Sequence, residues 1–542
     1  MRLDAIYSNG HFRTLDPARP TATALGVFAG RIVGFDEELE GATADVLVDL
    51  EGAHALPGFH DAHFHLSLTG ARLAALDLRP TKVSSLAQLY AAVEEFSATL
   101  PEGAWVRASG YDQNFLEGHP TAEGLDAVTG GRPAILEHVS GHMVVVNTAA
   151  FEAAGHPGRA GVPDMDGGTV ARDVDGLANG LLQERAMVLA YALVRPMPLD
   201  EVQRNLGLAA EQAARYGLTS VTEPGCGDAN MLGNTPADFH SYQQAVEANV
   251  LRSRVTLMPY CTTLHQLEGF KGAGWFGLDL GIRTGLGDDR LRVGPVKIVS
   301  DGSFIGRSAA MHHCYHGEPE NLGVMQFDPK ELRNMIVGAH ESGWQVAAHA
   351  IGDAAIDHVL DAFQEAQERS PRAVRHRIEH FAYTSEAQVE RAAALGAIPV
   401  PQGVFISDFG DGMRDAVQPQ EGERIYRMRS LLDAGMVLPG SSDSPVSDGN
   451  PLVSIHDMVN RVTASGAVLE PEERISVEEA VYAYTYGSAY AVHQEGDKGT
   501  LERGKLADFV VLSADLFEVE PAAIKEQRVL RTVIGGRTVF TA

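Results

Sequence analysis

From about residue 200 onward the chain repeats one local pattern: an amphipathic helix, a glycine, then a short apolar run. Asp200 is placed to cap a helix carrying Val202, Leu206, Ala209, Ala210 and Ala213. Gly217 ends it, and residues 218–221 are apolar or β-branched. Asp328-Pro329 sets a capping carboxylate before a proline at the first helical position. Gly343 closes that helix and residues 344–348 follow. Thr384 or Ser385 opens the next helix, Gly396 ends it, and residues 397–400 follow. Residues 431–434, Gly435 and residues 436–438 repeat the theme. Glycine after a helix supplies the left-handed residue that stops it. Short apolar strands between helices suit a parallel sheet covered on both faces. Strands are expected near 54–62, 218–223, 253–259, 293–299, 344–349, 376–381, 396–400 and 436–442. Eight strands alternating with helices make an α/β protein with a (β/α)8 TIM-like barrel.

The first of these strands runs into Pro57-Gly58-Phe59-His60-Asp61-Ala62-His63-Phe64-His65. His63 and His65 are two apart, so a strand turns both to one face. With 21 histidines in 542 residues, composition alone yields about one such pair. Its partners carry the argument. Barrel sites form at the C-terminal ends of strands. Those ends bring Lys297 with Ser300-Asp301-Gly302 from the fourth strand and His349 from the fifth. They bring His380, in Arg377-Ile378-Glu379-His380, from the sixth, and Asp443, in Ser441-Ser442-Asp443-Ser444-Pro445, from the eighth. Four imidazoles, one carboxylate and one lysine at five strand ends indicate a metal site. The donors suit zinc, with manganese, iron, nickel or cobalt as substitutes. His60 is an odd number of positions from His63 and is expected to face away.

Both chain ends read differently. Residues 1–56 and 500–542 alternate short apolar runs with turns, which predicts one composite β-sandwich domain. The barrel is expected over 57–66 and 198–499. Residues 67–197 are irregular, with a helix over 84–100 and a Gly-rich stretch over 155–180, and read as an insertion after the first barrel strand that shapes the substrate pocket. The net charge of −29, from 43 basic and 72 acidic residues, argues against nucleic-acid or anionic-membrane partners. No run reaches the roughly 18 apolar residues of a membrane helix, and Met1 to Gly10 lacks a secretory pattern. Cys226, Cys261 and Cys314 form no C-x-x-C, which fits free thiols in a reducing cytoplasm.

These motifs resemble the amidohydrolase superfamily of metal-dependent hydrolases (amidohydrolase family 3). Within it the chain is most similar to the branch of N-substituted formamide deformylase. The resemblance spans nearly the whole chain. Besides the motifs above it includes Asp301-Gly302-Ser303, His349-Ala350-Ile351-Gly352-Asp353, Gly141-His142 with Asn147, and Gly504-Lys505-Leu506-Ala507-Asp508. It implies two divalent ions, one held by His63, His65 and Asp443, the other by His349 and His380, with a CO2-derived carbamate on Lys297 between them. An unmodified lysine is an ammonium near neutral pH and would repel cations; the alternative is a buried ion pair with Asp301 or Glu379. The implied reaction is hydrolysis of an amide, N-formyl or N-acyl C–N bond by metal-bridging hydroxide, with Asp443 as general base and acid. Asp353 and Glu379 either orient the ligand histidines or serve as a cap and a surface ion pair. Asp301 joins them as an expected neighbour of the ligands. His142 is expected at the substrate, with a plain structural hydrogen bond as the alternative. Tyr111, where relatives often carry tryptophan, is expected to shape the pocket. The expected partners are a small amide-type molecule and a second copy in a homodimer.

Three rival readings weigh less. A serine hydrolase lacks its G-x-S-x-G elbow here. A non-catalytic scaffold would have shed ligands that are all present. The same barrel acting on a lactone, ester or cyclic amide, or as a deaminase, keeps the site and changes the substrate.

Overall fold

The computed structural model describes the chain apart from Ser140, His142 and residues 166–167, 229–232, 270–273 and 418–421. Two compact units divide it: residues 1–66, 210–227 and 242–542 form one, and residues 67–209 with 228–241 form the other.

In the first unit, seven strands carry the site: β1 (Phe59–Asp61), β2 (Leu218–Cys226), β3 (Arg254–Pro259), β4 (Val296–Val299), β5 (Val346–Ala350), β6 (Arg377–His380) and β7 (Ile398–Val400). Each is buried almost throughout, as parallel strands covered on both faces must be. β1, β2, β3 and Leu291–Val293 pair in parallel, and so do β4 to β7. Single parallel bridges join Tyr260 to Lys297, Gln402 to Ser441, and Phe64 to Ser444. The fold is TIM-barrel-like α/β. The strand expected over 436–442 is reduced to a bridge at Ser441, with another at Ser444 beyond it, because the Gly440 and Ser442 N–H groups donate to Ala483 O and the Asp61 carboxylate instead of a neighbouring strand.

The helix signals are local and therefore accurate. Asp328 accepts from the Lys330 N–H ahead of helix Pro329–Glu341. Ser385 and Gln388 form a capping box at helix Glu386–Ala394. Gly217, Gly343, Gly396 and Gly435 all adopt positive φ. Several expected bounds shift by a few residues, and the strand expected over 54–62 divides into His54–Pro57, paired with Phe509–Leu512, and Phe59–Asp61. Helix Leu199–Arg215 begins before Asp200, which lies inside its first turn, and the strand expected over 344–349 runs from Val346 to Ala350.

The chain ends share a six-stranded sheet, ordered Arg537–Thr541, Val529–Ile534, Phe509–Leu512, His54–Pro57, His11–Arg13, Thr21–Ala22. A four-stranded sheet comprises Arg31–Phe35, Leu25–Phe28, Arg2–Ser8 and Thr43–Asp49. One buried apolar cluster, including Tyr7, Leu25, Val27, Phe12, Phe509 and Val533, draws on both sheets.

The second unit holds a six-stranded mixed sheet from Leu76–Asp77 to Ala178–Glu184, with helix Leu86–Thr99 on it. It extends past residue 197, to which the insertion was expected to run, and takes in residues 228–241. Cys226, Cys261 and Cys314 are all thiols, none in a disulfide. Among the described residues no helix is long and apolar enough to cross a membrane.

Candidate metal centre

The backbone first fixes residues 61–65 against their neighbours. Phe64 N–H donates to Thr222 O at 2.9 Å, His65 N–H to Ser444 O at 2.8 Å, and Asp443 N–H to His63 O at 2.8 Å. Asp61, wholly buried, clips the same junction. It accepts from His63 N–H at 3.0 Å and from the Ser442 N–H and hydroxyl at 3.2 and 2.6 Å. Burial pushes its carboxyl up to about 7, against those hydrogen bonds.

This places two imidazoles over one carboxylate. His63 Nε2 and His65 Nε2 stand 3.4 and 3.1 Å from Asp443 Oδ1. That oxygen is buried and has no hydrogen-bond partner. One donor atom each from His63, His380 and Asp443 lie within 4.8 Å of one another. The His380 ring lies 5.2 Å from His63 and 4.5 Å from His349, centre to centre. A buried carboxylate oxygen this close to two ring nitrogens, with no hydrogen bond formed, makes a donor set that fits a divalent metal ion. His380 and Asp443 both hold left-handed backbone, φ 72° and 58°. Non-glycine residues seldom adopt it, and it concentrates at functional sites.

Burial alone would raise Asp443, but His63 and His65 hold it well below the usual carboxylate range. Burial lowers His63 and His380, while Asp443 and Glu223 raise His65 against its burial. Lys297 is 2% exposed, and burial draws it down to about 8 against the pull of Glu379 and Asp443.

The remaining expectations divide. Glu379 is no surface ion pair: it is buried, bonded to Arg377 and 2.5 Å from His63 Nδ1. Asp301 accepts from the N–H groups of Ala310, Ile351 and Gly352 and stands 3.2 Å from His349 Nε2. Both carboxylates are thus engaged by other groups, although Glu379 still attracts Lys297. Asp353 does not orient a site histidine. Its Oδ1 accepts from His312 N–H and Ala354 N–H at the start of helix Asp353–Arg369. His60 turns its Nε2 to Thr222 Oγ1, away from the cluster as expected. Tyr111 is a core residue of the second unit, its hydroxyl 3.2 Å from His119 Nδ1 and its ring edge-on to His138. His142 lies outside the described residues.

Four groups escaped the reading of strand ends. Gln402 Oε1 meets His380 Nδ1 at 2.7 Å. Glu223 stands 3.7 Å from His65 Nδ1 and accepts from Tyr242. Arg377 grips Glu379, and Asp61 grips Ser442. Glu223, near the end of β2, was open to the same strand-end rule. Arg377 and Glu379, two apart on β6, were open to the period-two rule.

Known proteins align along the same length. The model of the family described as "Amidohydrolase family" matches residues 46–540. Protein LONG AFTER FAR-RED 3 of Arabidopsis thaliana is 32% identical over 99% of this chain and 91% of its own length. N-substituted formamide deformylase of Arthrobacter pascens is 30% identical over 98% of this chain and 97% of its own. The crystal structure of an uncharacterized metal-dependent hydrolase from Pyrococcus furiosus superposes with a TM-score of 0.73 at 26% identity. It covers 95% of this chain and 100% of that one.

Proposed function

From the premise that this chain belongs to the amidohydrolase family and is a hydrolase of carbon–nitrogen bonds, we propose that it cleaves a small N-formyl or N-acyl amide. The observation that carries this is Asp443 Oδ1, buried, without a hydrogen bond, and faced by His63 Nε2 and His65 Nε2. His63, His65 and Asp443 would hold one divalent ion and His349 and His380 a second, both zinc. The ions would make a water acidic enough to deprotonate near neutral pH and would polarise the substrate carbonyl.

The chain's own groups do the rest. Asp443, ionised and buried, takes the proton of the attacking water and delivers it to the leaving nitrogen. Glu379, Gln402 and Asp301 orient His63, His380 and His349 from behind. Lys297, buried among these groups, is the candidate for carboxylation, since its uncharged amine is the form that takes up CO2. We further read the single bridges at Lys297, Ser441 and Ser444 as closing the seven strands and residues 440–444 into one ring, and the two end-derived sheets as a sandwich.

The test is elemental analysis of protein grown with zinc, a carbon-13 carbamate signal under labelled bicarbonate, and an assay of N-formyl, N-acetyl and cyclic amides with and without chelator. The expected result is about two ions per chain, a signal at Lys297, and chelator-sensitive turnover of an open-chain amide. A metal content near zero in active protein defeats the reading.

A further inference from the structure

We propose that Arg377, acting through Glu379, is the positioning residue that decides which ring nitrogen His63 offers to Asp443. The inference rests on the metal centre read above. Arg377 and Glu379 leave the same face of β6, and both side chains are wholly buried. The guanidinium grips the carboxylate with two parallel bonds, Nε to Oε1 and Nη2 to Oε2, each 2.8 Å. Nη2 also donates to Ala62 O at 2.7 Å. Ala62 immediately precedes His63, so one guanidinium holds the backbone before that residue and the carboxylate behind its ring.

The consequence for His63 is chemical. Glu379 Oε2 lies 2.5 Å from His63 Nδ1. An ionised carboxylate only accepts, so Nδ1 carries the proton and Nε2 presents its lone pair. Nε2 is the atom 3.4 Å from Asp443 Oδ1. The last torsion of a glutamate is soft. The planar fork of Arg377 removes that freedom, which a point charge such as lysine would do less well.

Two comparisons single out this pair. His380 is backed by a neutral acceptor, Gln402 Oε1, and His349 Nε2 by Gly302 O and by Asp301, which is held by backbone N–H groups. Of the three, His63 is the one whose carboxylate is gripped by a guanidinium, and its ring lies within 5.4 Å of both His65 and His380. A tilt there disturbs the whole donor set. Secondly, a fully buried ion pair is poor value as a stabiliser, since desolvation offsets its attraction. Arg377 even leaves Nη1 buried without a partner. Orientation of His63 accounts for the pair where stability does not.

The experiment uses the full chain, labelled with nitrogen-15 histidine, as wild type, Arg377→Met, Arg377→Lys and Glu379→Gln. Arg254→Met is the control, because it breaks a different buried two-bond pair, with Asp508. Ring tautomers are read in metal-free protein, and zinc affinity by competition with a chelator. Wild-type His63 should show only the Nδ1–H form. Arg377→Met and Glu379→Gln should show mixed tautomers and bind zinc about 10- to 100-fold more weakly. Arg377→Lys should fall between. Arg254→Met should lose stability but keep both tautomer and affinity. An unchanged tautomer in Arg377→Lys and Glu379→Gln overturns the inference, as does an equal loss of zinc in Arg254→Met. Should Arg377→Met not fold, the other two variants decide. Should wild type bind no zinc, the reading of the metal centre fails, while the metal-free tautomers still decide this one.

Discussion

Asp443 combines three properties that seldom coincide at one side chain: burial, ionisation and an oxygen without a hydrogen bond. Asp443→Asn keeps the shape and removes the proton acceptor. Turnover of whichever amide is a substrate should fall by about 10²- to 10⁴-fold, with circular dichroism and melting temperature close to wild type. Metal content, measured on the same sample, separates lost proton transfer from a lost ligand. Near wild-type turnover with metal retained would end the general-base role. At this scale the histidines were legible because H-x-H at a strand end has one geometric outcome. Arg377, Gln402 and Glu223 were not singled out, because each gains its meaning from a partner on another strand. Asp353 shows the converse. Four residues from His349, it satisfies loop N–H groups instead.

The elements that carry ligands are held by their own caps and by close backbone contact. Gln388, in the capping box of helix Glu386–Ala394, also donates to Asp353 O at 2.8 Å, which ties that helix to the one after β5. Gly352 comes down on Ala310, where an added Cβ would lie 1.9 Å from the carbonyl oxygen. Ser385→Ala should cost about 1 kcal/mol, read as a lower urea midpoint with kcat/KM unchanged. Gly352→Ala should cost about 1–3 kcal/mol and also lower kcat/KM, since backbone must move three residues from His349. Equal kinetics in the two variants would mean that the contact at Gly352 does not position the site. Helix starts and stops were readable because capping and left-handed glycine are local events. The eighth strand was not, because a ladder forms only where its neighbours supply partners.

Across the first unit, titratable groups are buried outside the donor set as well as within it. Lys498, 5% exposed, donates to Ser220 Oγ at 2.7 Å, and burial, with Arg254 and Arg292 adding to it, brings the amine down to about 7. An unfolded lysine titrates near 10.4. Between those values the unfolded chain holds a proton that the folded chain lacks, so this group's contribution to stability rises with pH across the window and is lost as pH falls from about 10 to about 7. The difference is on the order of 5 kcal/mol. Lys498→Met removes it: its gain in melting temperature over wild type should be largest near pH 6 and shrink toward pH 10. A gain independent of pH would show that Lys498 is not buried uncharged. By itself the sequence determined the α/β pattern, because periodicity and capping act within a few residues, and its motifs carried the family resemblance and the candidate metal donors. Only the tertiary structure decided which carboxylate backs which histidine, that Asp353 serves a loop, and that Tyr111 belongs to a core. Those outcomes depend on side chains from strands hundreds of residues apart sharing one dry interior, where each buried charge must find its partner.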